Sequence, residues 1–146
     1  MKRYKILIRT SIARRDVMHS LILSKLFENN NHQVVVASLR QFGFALKKWK
    51  PDIVIFSVPH IGILIKKELP NCFRVLVPSE GGDMDLTIAK AYKELSKEHL
   101  NSTDMIFFWN ERSMNEFKKT FPSFDKTRLF VSGNPKLDTI KFFPNL

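Results

Sequence analysis

The chain is 146 residues long, 44% apolar and 26% charged, with a formal net charge of +10. That length suits one domain with its own core, and the apolar fraction excludes a disordered tail. No apolar run approaches the roughly 18 to 20 residues that span a bilayer, and the ILI core of the basic opening MKRYKILIRTSIARR is too short for a secretory signal.

In chain order, the first predicted element is a strand over 4–9 (YKILIR), followed by a helix near 15–29 that NNN at 29–31 ends as a turn. The loop between them, RTSIARRD (9–16), lacks the G-x-G-x-x-G of a dinucleotide fold, which argues against NAD or FAD, and there is no Walker A lysine loop. It brings Arg14 and Arg15 to a helix N-terminus, where backbone N–H groups and the dipole favour an anion. Read without a ligand, the same two residues are exposed cations tolerated despite that dipole. A strand over 32–38 (HQVVVAS), a helix over 39–49 and a strand over 52–58 (DIVIFSV) come next. His60, in VPHIG, follows that strand, either as a general base or as an ordinary loop residue. A helix over 61–68 and a strand over 73–79 (FRVLVPS) lead into PSEGG.

In PSEGG, Pro78 ends the strand, and Gly81 and Gly82 allow a tight turn or the close approach of a ligand. Glu80 is thereby placed at the carboxyl edge of the sheet, ahead of a helix predicted over 85–99. The charge suits that helix N-terminus as well as it suits catalysis, so composition alone leaves both roles open. Leu86, Ala89, Tyr92 and Leu95 form the helix's apolar stripe, with Asp83 or Asp85 as its cap. The remaining elements are a strand over 104–109 (DMIFFW), a helix over 111–121 with Met114, Phe117 and Phe121 on one face, and a strand over 128–133 (RLFVSG). VSGNPKLD (131–138) then combines a strand-ending Gly133, an Asn134 held extended by proline, and a Pro135 able to open a helix.

This alternation predicts an α/β fold, a Rossmann-like parallel sheet of about six strands with helices on both faces. Ligands gather at the carboxyl ends of such strands, here the loops 10–15, 38–40, 58–62, 79–85, 109–112 and 133–138. His19, His32, His99 and Cys72 have no metal-site spacing, so no metal is expected. Asn101-Ser102-Thr103 matches a glycosylation acceptor only by chance. Lone Cys72 allows no internal disulfide and fits a reducing, cytoplasmic compartment. The basic residues are scattered, with no block of five like charges, so they read as solvated faces and not as a nucleic-acid-binding arm.

The ordered set PSEGG, MIFFWN and RLFVSGNPKLD resembles the N-terminal half of bacterial surface carbohydrate (lipopolysaccharide and capsule) biosynthesis proteins, which look like GT-B glycosyltransferases. The matching residues are Ser79-Glu80-Gly81, Trp109-Asn110 and Ser132-Gly133-Asn134-Pro135-Lys136-Leu137-Asp138. Asn110 stands for a glycine of that pattern, Leu137 for an aromatic, and Lys136 for an arginine, keeping the charge without the planar fork. The resemblance implies an acceptor-binding domain over 1–138, with 139–146 as the start of an interdomain linker or a frayed end. Such a domain would be inactive without a C-terminal domain that holds the nucleotide-sugar donor, and no resident cofactor is expected. By the same resemblance Glu80 is the catalytic candidate, and Arg14 and Arg15 are candidates for an anionic acceptor or the donor phosphate. His60, Ser79, Gly81 and Gly82 would line the substrate site, and Asn134, Lys136 and Asp138 the cleft floor. The expected partners are a glycan or lipid-linked acceptor and an anionic membrane face for peripheral association. Two other readings accompany it: a CDP-glycerol-type glycerophosphotransferase fragment, and a non-enzymatic basic module binding anionic lipid or nucleic acid.

Overall fold

Short runs of β-branched and aromatic residues build a sheet buried on both faces. The structure, a computed structural model, describes residues 2–11, 13–78 and 96–133, with 13–15 described by their backbone alone. Its strands are β1 (Lys5–Arg9), β2 (Gln33–Ala37), β3 (Ile53–Phe56), β4 (Phe73–Leu76), β5 (Met105–Phe108) and β6 (Leu129–Val131). They lie in the order β2-β1-β3-β4-β5-β6, and every neighbouring pair is parallel. The described helices are α1 (Ala13–Asn29), α2 (Leu39–Trp49), α3 (His60–Glu68), α4 (Lys97–Asn101) and α5 (Glu111–Thr120), with a 3₁₀ turn over Lys126–Arg128 before β6. The Rossmann-like α/β class expected from the alternation is the one observed.

Register sorts the side chains into two cores. Leu7, Val54, Phe56, Leu76, Ile106, Phe108 and Leu129 face Phe42 and Leu46 of α2, Ile61 and Ile65 of α3, Leu100 of α4 and Phe117 of α5. Ile6, Ile8, Ile55 and Val75 face the other way, against Leu23 and Phe27 of α1. Burying each such side chain contributes about 1.5–3 kcal/mol before ordering costs. The aromatic corner under α5 packs tilted and edge-on, with Phe117 centred 5.4 Å from Phe108, 5.0 Å from Phe121 and 5.4 Å from Phe124. Gly62 lets α3 approach α4, since a Cβ there would lie 2.7 Å from the Ser102 carbonyl oxygen. Cys72 is buried, and desolvation pushes its thiol up to about 11 against the opposing pull of Arg74.

One expected boundary changes. A helix over 85–99 does not run unbroken, because Ser96 is extended (φ −75, ψ 161) and caps α4. Its hydroxyl accepts from the His99 N–H, and the His99 ring accepts from the Ser96 N–H, a capping box with histidine in the usual Glu/Gln place. Leu86, Ala89, Tyr92, Leu95, Asp83 and Asp85 lie outside the described residues. The turn at NNN is present, with Asn31 at φ 65 and the His32 N–H bonded back to the Phe27 carbonyl.

Two carboxylates pin the amino ends of the strands. Asp52, just before β3, accepts the Lys5 N–H of β1 at 2.8 Å. Asp104, just before β5, accepts the Arg74 N–H of β4 at 2.8 Å and is gripped by the Arg74 guanidinium through two further bonds of 2.8 Å. Burial alone would raise the Asp104 pKa, but the hydrogen bonds and charge of Arg74 outweigh it and hold the carboxyl below its ordinary range. The Arg74 and Asp104 side chains are 9% and 27% exposed, so Asp104→Ala strands a buried guanidinium and is expected to cost about 3 kcal/mol in chemical denaturation. For a carboxyl with a depressed folded pKa, the contribution is complete above the unfolded value of about 3.9 and is lost as pH falls through the folded one. The stability gap between wild type and Asp104→Ala is therefore expected to close in acid below about pH 4 and to stay constant from pH 5 to 8.

Candidate functional site

The carboxyl edge of the sheet is where the chain reverses its direction of winding. From β1 the chain steps one way, through α1 to β2, whereas from β3 onward it steps the other way. The crevice between β1 and β3 is thus the topological switch point, where ligands of open α/β sheets bind.

The residues lining it are polar and largely buried. Arg9, at the end of β1, is 7% exposed, and Thr10 is 5% exposed. The Arg9 Nη1 donates to Ser11 Oγ at 2.8 Å, and the guanidinium carbon lies 5.6 Å from the Phe42 ring centre. Desolvation lowers the Arg9 pKa, against the field of Asp16, which raises it. Thr10 is fixed to β2 by its N–H and hydroxyl, both bonded to the Ala37 carbonyl at 2.9 and 3.2 Å. Asp16, 1% exposed in the first turn of α1, accepts the Ser11 N–H at 3.1 Å, a carboxylate in the place the helix dipole favours. The Ser11 and Ser57 hydroxyl oxygens lie 3.2 Å apart and so bridge the crevice from β1 to β3. A cavity of about 10 Å³ lies beside Ser57, lined by Arg9, Asp16, His19 and Ser20 and by the apolar side chains of Ile8, Leu23, Ile55, Phe56 and Val77.

A second contact lies further along the edge. The Trp109 indole, just past β5, donates from Nε1 to the Pro78 carbonyl, just past β4, at 3.0 Å. Next to it, Asn110 Oδ1 accepts the Ser113 N–H at 2.8 Å and caps α5. Past β6, the Ser132 N–H bonds to the Phe108 carbonyl at 2.9 Å, and Gly133 takes φ 78, a left-handed conformation that glycine adopts without strain.

Of the residues singled out from sequence, His60 is the first residue of α3, exposed at the loop edge, with no hydrogen bond or ion pair among the described residues. Arg14 and Arg15 have their backbone in the first turn of α1, with side chains outside the described residues. Ser79, Glu80, Gly81, Gly82, Asn134, Lys136 and Asp138 also lie outside them. Arg9, Ser11, Asp16 and Ser57 escape sequence reasoning. Their one signal is a cation ending an otherwise apolar strand, KILIR.

Two larger cavities are present beside the described residues. One of about 520 Å³ lies between α3 and α4, lined by Ile63, Lys66, Lys67, Glu98, Asn101 and Ser102. Lys66 Nζ donates to the Asn101 carbonyl at 3.1 Å across it. The other, of about 400 Å³, runs along the sheet face that carries Ile55, Val75, Val77 and Phe107. Among the described residues, no group of three or more metal-ligating side chains converges, and no helix is long and apolar enough to cross a membrane.

The Asn110 cap is expected to account for its residue type. Asn110→Ala should lower stability by about 1 kcal/mol in urea unfolding, whereas Asn110→Gly should cost only a few tenths. No protein-family model matches the chain, and neither the curated proteins nor the solved structures give a match.

Proposed function

We propose that this chain is the acceptor-binding half of a GT-B-like glycosyltransferase of bacterial surface polysaccharide assembly. It is inactive until a domain holding the nucleotide-sugar donor faces it across a cleft. The observation that carries this reading is the 3.0 Å bond from Trp109 Nε1 to the Pro78 carbonyl. It ties the start of PSEGG to the end of FFWN, two of the three segments on which the resemblance rests. The parallel sheet supports the same reading, because β4, β5 and β6 run in one direction and lead into all three segments from one edge.

Sugar transfer needs the acceptor hydroxyl aligned on the donor's anomeric carbon and charge neutralised on the departing phosphate. In an inverting enzyme Glu80 takes the acceptor proton, and in a retaining one it positions the acceptor. Arg14 and Arg15 meet an anionic acceptor or the donor phosphate beside the α1 N-terminus, and His60 lines the same edge. Asn134, Lys136 and Asp138 shape the cleft floor. The +10 net charge supports peripheral docking on the anionic inner face of the cytoplasmic membrane, where a lipid-linked acceptor is presented.

In the two-domain enzyme, Glu80→Gln is expected to lower turnover by about 10²-fold or more with an unchanged melting temperature. Turnover near wild type would remove Glu80 from the chemistry. No transfer from any nucleotide sugar by the wild-type enzyme would overturn the transferase reading itself.

A further inference from the structure

We propose that the β1–β3 crevice contains an oxyanion subsite, built on Arg9 with the Ser11 and Ser57 hydroxyls, that takes one phosphate or carboxylate group of a small ligand. The inference holds whether or not the chain serves a sugar transferase.

Arg9 is as buried as Arg74, each 7% exposed, yet the two are partnered very differently. Arg74 is met by a carboxylate through Nε and Nη2, which leaves only its buried Nη1 without an acceptor among the described residues. Arg9 has a single hydrogen-bond acceptor among the described residues, the Ser11 hydroxyl, and its wholly buried Nε has none. A guanidinium carries five N–H donors in a rigid fork. Burying the Nε–H with no acceptor and no carboxylate on the fork among the described residues is costly, and a ligand oxyanion would answer it. Asp16 influences Arg9 through its field, while its Oδ2 accepts the Ser11 N–H.

The surroundings select the ligand. The Arg9 fork matches a pair of oxyanion oxygens, the arrangement that carboxylates and phosphates present and a lone sugar hydroxyl does not. The Ser11 and Ser57 hydroxyls, 3.2 Å apart, can turn their protons toward the same oxygens. The N-terminus of α1, a 17-residue helix beginning at Ala13, adds its partial positive charge. The cavity of about 10 Å³ lined by Arg9, Asp16, His19 and Ser57 has room for about one water-sized group. One ligand oxygen enters it, and the rest of the ligand stays on the open loop edge at the switch point. Asp16 offsets part of the Arg9 charge, so a free anion is expected to bind weakly and a whole ligand more tightly.

The test is an NMR titration of the chain, following the Arg9 Nε–H resonance together with the backbone amide of Ser11, the reporter that remains in Arg9→Met. Inorganic phosphate and glucuronate are added in separate arms at constant ionic strength, with chloride as the control. A saturable shift of Arg9 Nε–H in one arm supports the subsite, and the arm that saturates at lower concentration identifies the group as phosphate or carboxylate. Arg9→Met and Ser57→Ala are expected to weaken the response, the first by about tenfold or more. Arg9→Met is also expected to leave the melting temperature unchanged or raise it, because it removes a poorly partnered buried cation. No saturable shift in either arm overturns the proposal, as does an anion response undiminished in Arg9→Met. If Arg9→Met fails to fold, the wild-type Arg9 resonance and the Ser57→Ala titration decide.

Discussion

The rest of the fold depends on one constraint at β1, which pairs in parallel with β2 on one side and β3 on the other. A parallel neighbour is reached only by a crossover that passes over a face of the sheet, and such crossovers are right-handed. Stepping one way from β1 therefore sends α1 to one face, and stepping the other way sends α2, α3 and α5 to the opposite face, as the two cores record. Burial on both sides is why ILI of β1 and IVIF of β3 read as unbroken apolar runs, while QVVVA at the sheet edge is half-buried. The same reversal opens a crevice at the carboxyl ends of β1 and β3.

Charge is handled differently at the two edges of the sheet. At the amino edge, Arg74 is folded into the structure by Asp104, whose backbone carbonyl also accepts Arg128 Nε at 2.9 Å. At the carboxyl edge, Arg9 rests on a hydroxyl and the Phe42 ring, with Asp16 acting mainly through its field. The surface lysines add little to stability. Lys47 with Glu68 and Lys119 with Glu116 are exposed pairs of the kind worth under about 1 kcal/mol. The net charge of +10 is thus chiefly a property of the surface and of what the surface attracts.

The elements were legible because their periods are local. Val34 to Val36 and Ile53 to Phe56 announce strands from composition, and Phe117 and Phe121 fall on one helical face within a single window. The break at Ser96 was harder to see, since a serine within a long helical pattern reads as an exposed helix position until its hydroxyl is found on the His99 N–H. The site was less legible than the fold. Ser11 and Ser57 stand far apart in sequence and become neighbours only when β1 and β3 align. Arg9 looks like the polar end of a strand, and only its burial gives it chemical meaning. His60 follows a strand end in sequence, where a general base could stand, yet it lies exposed at the start of α3.

The clamps at Asp52 and Asp104 have a consequence for how this scaffold can change over time. Each fixes a strand start by accepting a neighbouring strand's N–H, so each opposes the one-residue slip that would exchange the two faces of the sheet. Alignment is therefore enforced at the end of the strands remote from the crevice. Ser57, which meets the Ser11 hydroxyl across the crevice, can be exchanged without touching either clamp. The strand register is thus guarded at one edge of the sheet, which leaves the crevice edge the freer of the two to vary across a lineage.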